Sequence, residues 1–119
     1  MATGTIPNPN EGVTALSKTY TSQSYVTQSN FALLEFYQHG RVVYGNINLN
    51  VSSSPGQAFR KIGTLTLPRN LITGLLIDIP SQDNNSALLF NITTSGTIQI
   101  YSQASATGWY RQAVTMLLS

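Results

Sequence analysis

Val43-Tyr44-Gly45-Asn46-Ile47-Asn48-Leu49-Asn50-Val51 is the stretch whose reading decides the fold class. Val43, Ile47, Leu49 and Val51 share one parity, and Tyr44, Asn46, Asn48 and Asn50 share the other. Successive side chains of a strand point to opposite faces, so this alternation makes one apolar face and one face of amides. The segment is a half-buried strand with a polar outer ladder. An amphipathic helix needs apolar residues three and four apart, and no stretch of the chain sustains that spacing.

Working outward, the run Phe31 to Gln38 leads into the same strand through His39-Gly40, a two-residue hairpin turn in which glycine takes the positive φ such turns demand. After Ser52-Ser53-Ser54-Pro55-Gly56 comes Phe59 to Leu67, where Ile62, Thr64 and Thr66 alternate with Gly63, Leu65 and Leu67 until Pro68. Leu71 to Ile79 ends at Pro80, and a polar loop, Ser81 to Ser86, follows. The hairpin Ala87 to Thr93 with Thr97 to Tyr101 turns through Thr94-Ser95-Gly96, and the loop Ser102 to Gly108 feeds a closing run, Trp109 to Leu118. Six or seven short strands and no helix of consequence predict an all-β domain over residues 30–119. Residues 1–29, rich in Thr, Ser, Pro, Asn and Gly, read as an extended N-terminal arm or linker, with Thr19-Tyr20-Thr21 suited to a short edge strand.

At 119 residues the chain has the length for one core. Charged residues make up only 8%, against about 25% in ordinary proteins, and Ser, Thr, Asn and Gln replace them on the surface. Charge is the usual device against edge-on association, so its scarcity favours close packing of identical chains. The six basic residues are scattered, which is not the clustered footprint of a nucleic-acid binder. Cysteine is absent, which excludes disulfides and thiolate metal sites. No signal peptide opens the sequence, and no apolar run reaches the length needed for membrane insertion.

Catalysis is poorly supplied: one His, with Glu11, Glu35, Asp78 and Asp83 the acidic side chains. His39 falls at a hairpin tip, Glu11 in the arm, and Glu35 and Asp78 in mid-strand, so the inventory speaks against an enzyme, and no metal or cofactor motif is present. Binding is better supplied. In an antiparallel sheet, loops separated by two strands emerge at the same end, which brings Ser81 to Ser86 beside Ser102 to Gly108. Asp83, Asn84 and Asn85 would then rim an aromatic platform of Tyr101 and Trp109, with Arg111 to hold an anionic substituent. The commoner role of a lone Trp entering a final strand is core or subunit interface, and both roles stay open for Trp109.

The succession Leu34 to Val43, Ile62-Gly63-Thr64-Leu65-Thr66-Leu67-Pro68, Ser95-Gly96-Thr97-Ile98-Gln99-Ile100 and the Trp109 to Leu118 strand resembles the carboxy-terminal head domain of tailed-phage receptor-binding proteins and tail fibres. The resemblance covers residues 30–119. It implies a compact head, a single antiparallel β-barrel or jelly-roll-like sandwich, at the virion's tail tip or fibre that assembles as a homotrimer, binds bacterial cell-surface saccharide, and joins other tail or baseplate proteins through the N-terminal arm. A structural virion module, for tail assembly or capsid decoration, accounts for the low charge and the arm equally well but requires no ligand.

Overall fold

The computed structural model describes residues 12–119. Nine strands and one helical turn follow in the order β1 (Val13–Ala15), β2 (Lys18–Tyr20), α1 (Gln28–Phe31), β3 (Glu35–His39), β4 (Val42–Val51), β5 (Arg60–Leu65), β6 (Leu75–Pro80), β7 (Ala87–Ile92), β8 (Thr97–Tyr101) and β9 (Gly108–Leu117). They form two antiparallel sheets, β1-β3-β4-β9 and β2-β5-β8-β7-β6, packed as a sandwich rather than a closed barrel.

β4 is the strand its alternation predicts: Val43, Ile47, Leu49 and Val51 are buried, and Tyr44, Asn46, Asn48 and Asn50 face outward. It pairs with β9 over ten residues, from Val42↔Leu117 to Val51↔Gly108, and with β3 through Tyr37↔Tyr44 and its neighbours. From the other sheet Ile62, Leu65, Ile79, Leu88, Phe90, Ile92, Ile98 and Ile100 complete the core. Along the β6 and β9 edges the two sheets are joined by the isolated bridges Leu71↔Leu118 and Ser81↔Tyr110, which flank β6 on either side.

Four expectations need correction. Part of the supposed arm is built into the domain: β1 extends one sheet beside β3, β2 extends the other beside β5 where an edge strand was expected at Thr19-Tyr20-Thr21, and Val26 lies in the core. With these two the count among the described residues is nine, against the six or seven expected. The rest of the arm, residues 1–11, lies outside the described residues. The run from Phe31 does not begin as a strand, because the Thr27 hydroxyl accepts from Asn30 N at 3.2 Å and caps a helical turn that ends at Phe31. The first hairpin turns one residue later than read, at Gly40-Arg41, with His39↔Val42 as its last pair and Gly40 at φ +61°. Finally, β6 starts at Leu75, since Leu71 is drawn aside to pair with Leu118.

In β5 a register shift between Lys61 and Gly63 inserts one residue, so Ile62 and Leu65 both reach the core despite opposite parity. Gly63 has no room for a side chain, since a Cβ would collide with the Phe31 ring and the Thr19 carbonyl. Phe31 thereby roofs β5, with the Tyr20 ring tilted against it at 5.5 Å.

Candidate ligand-binding surface

The two loops do meet at one end, and Tyr110 is what joins them. Its ring is fully buried and its hydroxyl donates to Thr107 O at 3.0 Å and lies 2.6 Å from Ser86 Oγ. Sequence reasoning missed this residue, because a buried tyrosine in a strand gives no sign of where its hydroxyl ends.

Asp83 and Asn84 serve as clamps. Asp83 Oδ2 accepts from Trp109 N at 2.9 Å, and Gln82 N donates to Trp109 O at 2.8 Å, so both backbone groups of Trp109 are held by the first loop. Asn84 donates through Nδ2 to Thr107 O at 3.3 Å and accepts from Ser86 N at 2.8 Å. Ser81 Oγ accepts from the amides of Asp83 and Asn84, closing the loop on itself. Gly108, at φ +97°, makes the close approach possible: a Cβ there would stand 2.7 Å from Asp83 Oδ2. The acceptors expected to meet a ligand are thus largely engaged in fixing the junction.

What the junction presents is Trp109, half-buried, on the outer face of the β1-β3-β4-β9 sheet. The Arg111 guanidinium lies 5.0 Å from its ring centroid and donates through Nε to Asn48 Oδ1 at 2.9 Å. One of the five guanidinium donors is thus spent on orientation, leaving others for an anion or a hydroxyl.

Tyr101 and Asn85 belong to a different place. Tyr101 shares the outward parity of Thr97 and Gln99, so it projects from the outer face of the five-stranded sheet. With Asn85, Asp78, Leu89 and Gln103 it lines a cavity of about 320 Å³, its ring tilted on Phe59 at 5.2 Å and its hydroxyl donating to Gln103 Oε1 at 2.8 Å. The single platform expected from the sequence is therefore divided between two outer faces.

A third aromatic group lies on the Trp109 face. Tyr37 and Tyr44, opposite each other on β3 and β4, stack with centroids 5.7 Å apart. The Tyr37 hydroxyl donates to Glu35 Oε2 at 2.7 Å. That hydrogen bond, with the nearby carboxylate charge, slight burial and Tyr44 adding to it, raises the Tyr37 pKa above the ordinary tyrosine value. An acid whose pKa is raised by folding adds stability that is present below its unfolded pKa and lost as pH rises through the folded one. In an NMR pH titration Tyr37 is expected to ionise later than an unperturbed tyrosine, and Glu35→Gln to move it back down. Identical Tyr37 titrations in the two proteins would contradict this coupling.

Among the described residues no three His, Asp or Glu side chains gather as a metal site, and no helix is long and apolar enough to cross a membrane. An aromatic face with a guanidinium over it can stack on a sugar ring and hold an anionic group, which is recognition chemistry. Comparison of the chain with protein-family models, with curated proteins and with solved structures returns no match.

Proposed function

We propose that this domain is the host-recognition head of a phage tail fibre or baseplate, a non-enzymatic module that binds bacterial cell-surface saccharide as a homotrimer. The observation that carries the binding part is the Trp109–Arg111 pair, held at a clamped loop-to-strand junction by Asp83, Gln82 and Asn48. A ring fixed at its backbone and half open to solvent meets a sugar with little ordering cost. Three copies then strengthen a weak single site through effective concentration. The virion setting, the trimer and attachment to other tail proteins through the N-terminal segment rest on the resemblance in sequence. An apolar patch at the far end of β9, where exposed Val42 pairs with exposed Leu117 and Ile72 N bonds Leu117 O, suits subunit packing. That patch also serves a purely structural virion module.

Light scattering and a glycan array, run together, test the reading. A mass of three chains is expected at micromolar concentration, with binding to bacterial polysaccharide that falls about tenfold or more in Trp109→Ala and in Arg111→Ala, each melting as the parent does. A monomer mass would sink the trimer. Wild-type protein that binds no glycan would leave the structural module in its place.

A further inference from the structure

Trp109 is not isolated on its face. In the β3-β4-β9 register, the outward residues form successive rows: Asn50 opposite Trp109, Asn48 opposite Arg111, Glu35–Asn46–Ala113, and Ala15–Tyr37–Tyr44–Thr115. One aromatic landing thus stands at the Trp109 row and another at the tyrosine row, with the amides of Asn48 and Asn46 between them and that of Asn50 beside Trp109; beyond the tyrosines the face closes with the row Val13–His39–Val42–Leu117. The second landing has a shape of its own. Val13 and Ala15 of β1 rise beside the stacked tyrosines and leave a shallow depression of about 480 Å³ lined by these four residues.

Resting on the saccharide reading above, we propose that this face, from the Trp109 row to the Tyr37–Tyr44 row, is one track for an extended linear polysaccharide lying along β4. Its two ends stack on Trp109 and on the Tyr37–Tyr44 pair, and its middle hydroxyls meet Asn46, Asn48 and Asn50. Three features argue for that ligand. Tyr44 and Asn50 are six residues apart on β4, so the landings are separated by about 20 Å, more than a monosaccharide or disaccharide spans. The amides both donate and accept without charge, as a row of ring hydroxyls requires. Charge is confined to Arg111 at one end, where it sits over the Trp109 ring, and to Glu35, whose carboxylate is bound by the Tyr37 hydroxyl. A nucleic acid would need a line of cations along the same path, and the amide ladder offers none. The Tyr37–Glu35 bond also fixes one ring of the pair, so the second landing is formed before the ligand arrives.

The test compares chain lengths. Wild-type protein, the double variant Tyr37→Ala/Tyr44→Ala and Trp109→Ala are probed on an array carrying purified bacterial cell-wall polysaccharides, hyaluronan and chito-oligosaccharides, each polymer accompanied by size-graded fragments from dimer to decamer. Affinity of the wild type for a bound polymer is expected to climb with fragment length and to level off once the fragment spans both landings. The tyrosine double variant is expected to lose that climb, binding long fragments about tenfold more weakly and short ones as before, while Trp109→Ala weakens both. Tyr37→Phe, which keeps the stacked ring, should retain the length dependence. Thermal melts confirm that each variant is folded, and should the double variant fail to fold, Tyr44→Ser alone serves in its place. Wild-type length dependence that survives loss of the tyrosines overturns the track and leaves a Trp109 sugar site standing. Binding of no polymer at all overturns the saccharide reading and the track with it.

Discussion

A chain that begins at Asn30 is expected to lose cooperative folding, although the first 29 residues read as an arm. The truncation removes β1 and β2 and so uncovers one edge of each sheet, breaking the Val13–Ala15 ladder on β3 and the Lys18–Tyr20 ladder on β5. It deletes Val26, 1% exposed, whose burial is worth about 1.5–3 kcal/mol, and the Thr27 cap, worth about 1 kcal/mol. It also strips the hydrogen bonds Thr21 N to Ile62 O at 3.0 Å and Ser52 N to Tyr25 O at 2.9 Å, and exposes the Phe31 ring on which Tyr20 leans. The combined loss approaches the about 5–15 kcal/mol that holds an ordinary domain. A chain starting at Gly12 retains every one of these contacts and is the matched control. Calorimetry checks the pair: a cooperative transition in both proteins at similar temperature would show that the edge strands are dispensable.

Apart from an edge strand at Thr19-Tyr20-Thr21, the sequence of this segment shows little of its place in the sheets, and the reason is physical. Period-two alternation needs four or more residues to register, and β1 and β2 have three each. What makes them strands is the open edge each one covers, and edges do not exist until the sheets form. β4 is the opposite case, since ten residues of strict alternation carry their own instruction. β5 stands between the two. Its alternation is visible in sequence, but the inserted residue at Lys61–Gly63 changes which parity is inside, and only pairing with β8 reveals it.

The site was legible in part for a similar reason. That the loops after β6 and after β8 share an end follows from antiparallel connection alone. Whether Tyr101 and Trp109 then share a face does not, because parity says in or out without saying of which sheet, and the chain changes sheets between β8 and β9. The roles of Asp83 and Asn84 as clamps depend on partners 26 and 23 residues away, Trp109 N and Thr107 O. Tyr37 and Tyr44 passed unnoticed as a pair, although Tyr44 stands on the polar parity of its strand, among asparagines, where an aromatic ring faces water.

Tyr110 carries the second large effect, and the chemistry of its hydroxyl separates two roles. Thr107 O can only accept, so the single phenolic proton goes to it, and the Ser86 hydroxyl must in turn donate to Tyr110 Oη. One atom therefore ties the last loop to the loop that clamps Trp109. Tyr110→Ala empties a fully buried site beside the β4 ladder, where Leu49 is its cross-strand partner, and is expected to cost about 3–5 kcal/mol, or about 10–20 °C in melting temperature. Tyr110→Phe keeps the ring and removes the tie, leaving the Ser86 hydroxyl and the Thr107 carbonyl short of a partner at a cost of about 1–3 kcal/mol. That variant is expected to stay folded at room temperature, and its one tryptophan, Trp109, reports on the junction directly. Acrylamide quenching of Trp109 fluorescence should increase in Tyr110→Phe, because a loosened loop no longer holds the Trp109 backbone through Asp83 and Gln82. A phenylalanine variant with the parent's quenching and the parent's melting temperature would mean that the loops are positioned by their own turns and that the hydroxyl does nothing for the site.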